Sequence, residues 1–309
     1  MGPRASALGA HVRDRVAAQA GSLFSHGDYP LENTLAFRPD PGLFGPGSMT
    51  WPVLGNAAVF VGGIRALLVQ AAHPEVAAGV AQHSRYREDP LGRLTRTAAY
   101  VTATAFGAMP EAEAAVATVR RRHRLVSGQS DRGEPYDASD AALSAWVHNA
   151  LTDSFLAAYR TYGGQPCPEA DADRFVAEQT RVGALLGAEP LPVTAAALSD
   201  WIAGHPDVAA SPAGDEAIAF LLRPPLRGAV RVAYGRLFRA AVATLPPRIR
   251  IILGFAAHRG GVQAGRLAVG ALHRALGPSP DWQLALARTG ARPPAGVRFH
   301  RAWPELPGL

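Results

Sequence analysis

Lysine is absent from this chain of 309 residues, so all 31 basic residues are arginine. That absence excludes a Walker A phosphate loop, a pyridoxal Schiff base and any lysine nucleophile or base. One cysteine, Cys167 in Gly163-Gly-Gln-Pro-Cys-Pro168, excludes an internal disulfide. Aromatic residues make up only 7% of the chain, too few for a base-stacking platform. No apolar run approaches the ~20 residues that a bilayer span requires, because the stretch from Val53 is cut at Arg65. The first residues mix Arg4, His11, Arg13, Asp14 and Arg15 with alanine, unlike the apolar core of a secretory signal. A reducing, cytoplasmic setting is the expectation.

Several site motifs are missing as well. There is no His-Glu-x-x-His or Glu-x-x-His pair for zinc or di-iron, no Gly-x-Ser-x-Gly elbow and no Gly-x-Gly-x-x-Gly dinucleotide turn. Without Cys-x-x-Cys-His, any haem would be held noncovalently. A non-haem iron site built from His73, His83, Asp89 and His148 fits no ligand spacing we can name.

What is present is a 48% hydrophobic chain rich in alanine, leucine and arginine, which favours an all-α fold. The net charge is +6, but 25 acidic residues are interspersed, so the surface reads as solvated and no nucleic-acid partner is expected. Residues 26–50 are a Pro/Gly-rich loop. Helices are predicted over 56–72, 74–83, 90–106, 110–128 and from an Asp137 or Ser139 cap to about 163. Further helices are predicted over 171–186, 193–203, 214–222, 226–245, 248–257 and 261–276. No repeat or linker divides the chain. We therefore read 1–309 as a single helical domain with a core at 48–160 and a loosely ordered tail at 293–309. The stripe Val230, Tyr234, Leu237, Phe238 and Ala241 beside Arg227, Arg231, Arg236 and Arg239 suits core packing or peripheral membrane contact.

The most informative single residue is His123. It falls at helical spacing on the apolar stripe of Ala112, Val116, Val119 and Val126, which points its imidazole inward. Arg120, Arg121, Arg122 and Arg124 surround it. An inward iron-capable nitrogen within a basic segment suits an anionic, iron-bearing cofactor; the alternative is a buried histidine bonded to a carbonyl. On the preceding helix Arg93, Arg96, Thr97 and Tyr100 cluster at three- and four-residue spacing. On the long helix His148 lies beside the core stripe with Thr152 and Tyr159, where it could line a pocket or sit at a helix interface.

A series of phrases then appears in a fixed order. They are Ser48-Met-Thr-Trp-Pro-Val-Leu-Gly55, Gly63-Ile-Arg-Ala-Leu-Leu-Val-Gln-Ala-Ala-His-Pro74, Gly79-Val-Ala-Gln-His-Ser84 and Asp89-Pro-Leu-Gly-Arg-Leu-Thr-Arg-Thr-Ala-Ala-Tyr100. His123-Arg-Leu-Val-Ser-Gly128, Trp146-Val-His-Asn-Ala-Leu-Thr-Asp-Ser154 and Leu222-Arg-Pro-Pro225 complete the series. In these the chain resembles the rubber oxygenase catalytic-domain family, which includes latex clearing proteins and the fungal oxygenase acting on a farnesylated mycophenolate precursor. The resemblance implies a globin-like helical core around a noncovalent haem b, with dioxygen used on a hydrophobic, often isoprenoid, substrate and an unidentified electron donor. Carried over by motif, His123 would ligate the iron, and Arg93, Arg96 and Thr97 would occupy the distal Arg-x-x-Lys-Thr positions. Arginines such as Arg120 and Arg124 would pair the propionates, with His148 nearby. Arg96 stands where the family has a lysine that can cap the iron, so the sixth position would be open, water-filled or taken by a group such as His83. Two other readings remain: a haem carrier or gas sensor without turnover, and a cofactor-free helical lipid binder.

Overall fold

The computed structural model describes residues 29–84, 89–257, 260–299 and 303–304, apart from the side chains of residues 90–94. The fold is all-α, with one small β-hairpin. The helices in chain order are α1 Thr50–Leu54, α2 Val59–Ala71, α3 Pro74–His83, α4 Pro90–Phe106 and α5 Met109–His123. Strands β1 Ser127–Gln129 and β2 Pro135–Asp137 come next. After them run α6 Ala141–Tyr162, α7 Glu169–Leu185, α8 Ala195–Gly204, α9 Pro212–Leu222, α10 Gly228–Ala243, α11 Pro247–Ile252, α12 Gly261–Leu276 and α13 Pro280–Thr289.

The long helix α6 and its neighbour α2 form the centre of the packing, and both elements are tied by polar contacts as well as apolar ones. Asp140 caps α6, its carboxylate accepting from Ala142 N at 2.8 Å and Leu143 N at 3.1 Å. Helix α2 can lie close against it because Gly62 carries no side chain: a Cβ there would stand 2.7 Å from the Phe155 ring and 3.2 Å from the Ser154 carbonyl. Across this contact the fully buried Arg65 reaches Asp153 Oδ2 at 2.6 Å, Ser154 Oγ at 2.8 Å and the Thr244 carbonyl at 3.1 Å. Asp153 therefore pairs with Arg65, while Arg96 pairs with Asp89. Around this pair Trp51, Val61, Leu68, Trp146, Phe175 and Ile202 are buried almost completely.

The short α1 lies outside every predicted helix, α11 ends at Ile252 rather than near 257, and two further segments depart from the sequence-based expectation. Helix α5 stops at His123, short of Gly128, and Arg124–Val126 turns the chain into the hairpin, where Ser127 pairs with Asp137 and Gly128 with Tyr136. Tyr136 is the reason: its buried ring packs over Gly128, where a Cβ would lie 2.7 Å from its hydroxyl, and that hydroxyl donates to Gln82 Oε1 at 2.6 Å. Val126 thus only mimics a helical stripe position. Helix α13 was not expected at all, and it is held by Ser279, whose Oγ accepts from Asp281 N, and by buried Trp282 and Leu286. Its buried positions also include Gln283 and Arg288, which hide the apolar period.

The stripe on α10 is accounted for by packing. Leu237, Phe238 and Ala241 are buried, Val230 and Tyr234 half-buried, and the four arginines beside them face solvent. No helix among the described residues is long and apolar enough to cross a membrane.

Candidate functional site

Helices α4 and α5 form an antiparallel hairpin whose closed end is fixed by backbone crowding. At Gly107 a Cβ would meet the Ala103 carbonyl at 2.4 Å, and Gly42, at φ +70°, sits directly against the Gly107 carbonyl. Glu111 reaches back to accept from Ala108 N at 2.7 Å and from Thr34 Oγ1 at 2.8 Å. From the α13 side, the fully buried Arg288 donates to the carbonyls of Phe106 at 2.7 Å, Gly107 at 3.2 Å and Asp40 at 2.7 Å, and to the Thr34 hydroxyl.

The open end of the same hairpin carries the residues of greatest chemical interest. His123 is the last residue of α5 and continues the face of buried Ala112 and Val116 through half-buried Val119. Burial holds its pKa below the ordinary histidine value, against the opposing effect of a hydrogen bond to the backbone of Ala138. The ring is therefore neutral near pH 7. Arg120, Arg121, Arg122 and Arg124 are exposed, and the first three fill the last turn of α5, where positive charge favours the helix C-terminus. On α4, Thr97 is half-buried and Arg96 is exposed with its guanidinium 3.2 Å from Asp89 Oδ2. The side chain of Arg93 lies outside the described residues.

One turn further along α4 a small recess of about 20 Å³, room for about one water molecule, opens between α4, α6 and α7. Its walls are mostly apolar, with Val101, Leu151 and Phe155 among them, and five polar side chains line it: Tyr100, Thr104, His148, Thr152 and Gln179. The Tyr100 hydroxyl is buried without a hydrogen-bond partner, and burial pushes its pKa up. His148 is 6% exposed, its Nε2 lies 3.5 Å from Thr152 Oγ1, and a Cβ on Gly183 would touch its ring at 2.8 Å. Burial lowers its pKa to about 4, only partly opposed by a hydrogen bond to the Gln179 backbone. Apolar walls with a few converging polar groups are the usual lining of a small-molecule site, but the recess as it stands is far smaller than the roughly 300 Å³ at which such sites begin. His148 both lines the recess and packs against Gly183 of α7, and Tyr100 presents an unpartnered hydroxyl.

The depressed pKa of His148 fixes a pH dependence. The unfolded chain binds a proton at the ordinary 6.5, the folded ring only at about 4, so acidification favours unfolding. The contribution of this ring is complete above pH 6.5 and shrinks as pH falls, by about 2 kcal/mol at pH 5. Urea titrations at pH 7 and 5 should show that loss, and His148→Gln should flatten the difference by a comparable amount; an equally steep variant would assign the dependence elsewhere.

A second cluster of polar groups lies away from the hairpin. His73, at the N-terminus of α3, has its Nδ1 3.2 Å from Glu75 Oε2, and Glu75 is gripped by Arg132 through two 2.7 Å bonds and by Ser130 at 2.8 Å. His205, just past α8, stands 5.5 Å from the His73 ring, with Trp146 at 4.8 Å and Trp201 at 4.7 Å from its own ring centre. One ligand atom from each of His73, His205 and Asp207 lies within 4.8 Å of the other two. His83, by contrast, is exposed and bonded to the Ser127 carbonyl at 3.0 Å. Neither it nor His148 belongs to this cluster, and nothing in the spacing of His73 and His205 announced their meeting.

Residues 51–277, well over half of the chain, match the family described as ER-bound oxygenase mpaB/B'/rubber oxygenase, catalytic domain. No curated protein and no solved structure gives a significant match.

Proposed function

The chain belongs to the mpaB/rubber oxygenase catalytic-domain family, and from that membership we propose that it oxidises a hydrophobic, isoprenoid-like small molecule with dioxygen, using a noncovalent haem b. The observation that carries the haem assignment is His123. A histidine that ligates iron needs a neutral ring with one nitrogen tied to a hydrogen-bond acceptor, leaving the other for the metal. Burial and the bond to the Ala138 backbone supply both conditions. Arg120 and Arg124 flank it on the solvent side, where arginine pairs with carboxylate groups such as propionates. When bound, haem supplies the redox chemistry that dioxygen activation requires.

The protein's own groups then divide the remaining work. Arg93, Arg96 and Thr97 are hydrogen-bond donors on α4, the helix facing α5; Arg96 exchanges its exposed contact with Asp89 to act there. The adjoining recess would have to open, by parting α4, α6 and α7, to take the apolar substrate. Its leucine, valine and phenylalanine walls exclude water, while the Tyr100 hydroxyl and the His148–Thr152 pair orient the one polar end that such a molecule carries. The electron donor is a separate reductant.

The test is an absorption spectrum of protein expressed with haem precursor, pyridine haemochrome quantification, and oxygen uptake with farnesylated and polyisoprenoid substrates in the presence of a chemical reductant. A Soret band with about one haem per chain and substrate-dependent oxygen uptake is expected. A colourless protein that also fails to take up added haem overturns the haem assignment, and haem without uptake on any apolar substrate overturns the oxygenase.

A further inference from the structure

We propose that His73, His205 and Asp207 form a binding site for a divalent transition-metal ion, separate from the haem site. Two imidazole nitrogens and one carboxylate oxygen are a donor set that suits zinc and ferrous iron alike. The three come from two segments that the fold brings together: His73 from the junction of α2 and α3, His205 and Asp207 from the loop between α8 and α9.

Burial and hydrogen bonding single the cluster out among the described residues. His73 is only 4% exposed, yet its Nδ1 has no hydrogen-bond partner, because Glu75 approaches outside hydrogen-bond geometry. The Nδ1 of His205 is likewise buried and unpartnered, with Asp207 Oδ2 4.0 Å away. Orphaned buried nitrogens are costly, and two on neighbouring rings that share a cluster with one carboxylate mark a place built for a further ligand. Glu75 is already satisfied by Arg132 and Ser130, so its charge is cancelled. Arg132 comes no closer than 3.7 Å to Asp207, which leaves that carboxylate as the anionic ligand.

Ligand atoms around tetrahedral zinc stand about 3.5 Å apart. Closing the cluster from its 4.8 Å spread therefore takes a shift of about 1 Å, which the half-exposed Asp207 can supply from its loop. Its exposure also leaves the outer side of the ion to water. The ion would act as a staple between the α2–α3 junction and the α8–α9 loop, which the Ala209 N to Ala72 carbonyl bond at 3.0 Å already joins.

The site is tested on the full-length protein as purified, dialysed against chelator and then equilibrated separately with zinc, ferrous and manganous ions under anaerobic conditions. Metal is counted by plasma emission, with haem iron subtracted from the pyridine haemochrome. One ion per chain is expected, with affinity falling about a hundredfold in His205→Ala and in Asp207→Asn. Cobalt should quench tryptophan fluorescence through Trp146 and Trp201, and zinc should reverse the quenching. His73 is buried, so the two loop variants carry the test, with circular dichroism confirming their fold. His83→Ala and His123→Ala should bind the metal normally, which separates this site from the haem assignment. Absence of any bound ion, or equal binding by the loop variants, overturns the proposal; the second result means an adventitious ion only.

Discussion

Arg288→Ala lowers the unfolding free energy by about 3–5 kcal/mol. The guanidinium is completely buried and donates to three carbonyls and to Thr34, so its removal leaves four acceptors facing a void at the turn between α4 and α5. Glu111, whose Oε2 stands 4.0 Å from the guanidinium, loses its cation at the same time. Burial depresses the Arg288 pKa, yet arginine stays charged even so, and no neutral form relieves the cost. Arg288→Lys should recover little, since an ammonium cannot reproduce a planar fork aimed at Phe106, Gly107 and Asp40 together. Urea unfolding followed by circular dichroism measures the loss; a midpoint within error of the parent protein would mean that these bonds contribute nothing net.

His123→Ala reduces bound haem from about one per chain to below about a tenth, with oxygen uptake falling in proportion. The replacement deletes the proposed iron ligand at the end of a helix, where the ring is only half-buried, so the fold itself should survive. Two comparisons make the result specific. Added imidazole should restore part of the Soret band by filling the space the ring vacates. Arg124→Ala, which removes an exposed neighbour, should keep most of the haem and weaken it modestly through one lost charge pair. Full haem with an unchanged spectrum in His123→Ala moves the ligand assignment to another residue.

Much of the helical framework is legible in the sequence where proline marks a start. Helices α3 and α4 begin at Pro74 and Pro90 and end at His83 and Phe106, as their spacing predicts. Capping is readable to within a few residues: the acceptor is Asp140, and the nearby Asp137 and Ser139 carry the same chemistry. The failures have physical causes. Val126 lies at helical spacing from His123 but belongs to a turn that tertiary packing under Tyr136 imposes. Helix α13 buries an arginine and a glutamine, so no apolar period reveals it.

The site divides along the same line. The faces of His123 and His148 follow from periodicity within one helix; the His148 ring is buried and that of His123 half-buried. The orphaned hydroxyl of Tyr100 depends on what faces it from α6 and α7, and the meeting of His73 with His205 depends on the whole path of the chain between them. Arg96 illustrates the limit in the other direction: its helical position is predictable, but its exposed pairing with Asp89 is a matter of side-chain conformation.

The grip of Arg288 on the hairpin turn also bears on the order of events during synthesis. Its partners lie far upstream, Phe106 by 182 residues and Asp40 by 248. Loop closure over such separations is slow, and at about 5–20 residues per second a ribosome needs on the order of ten seconds to travel from α4 to α13. Throughout that interval the turn that sets the angle between α4 and α5 lacks its central donor, and the open end bearing His123 is correspondingly unsettled. Uptake of the proposed haem in a translation reaction should therefore lag behind emergence of His123 and begin only after α13 has left the exit tunnel.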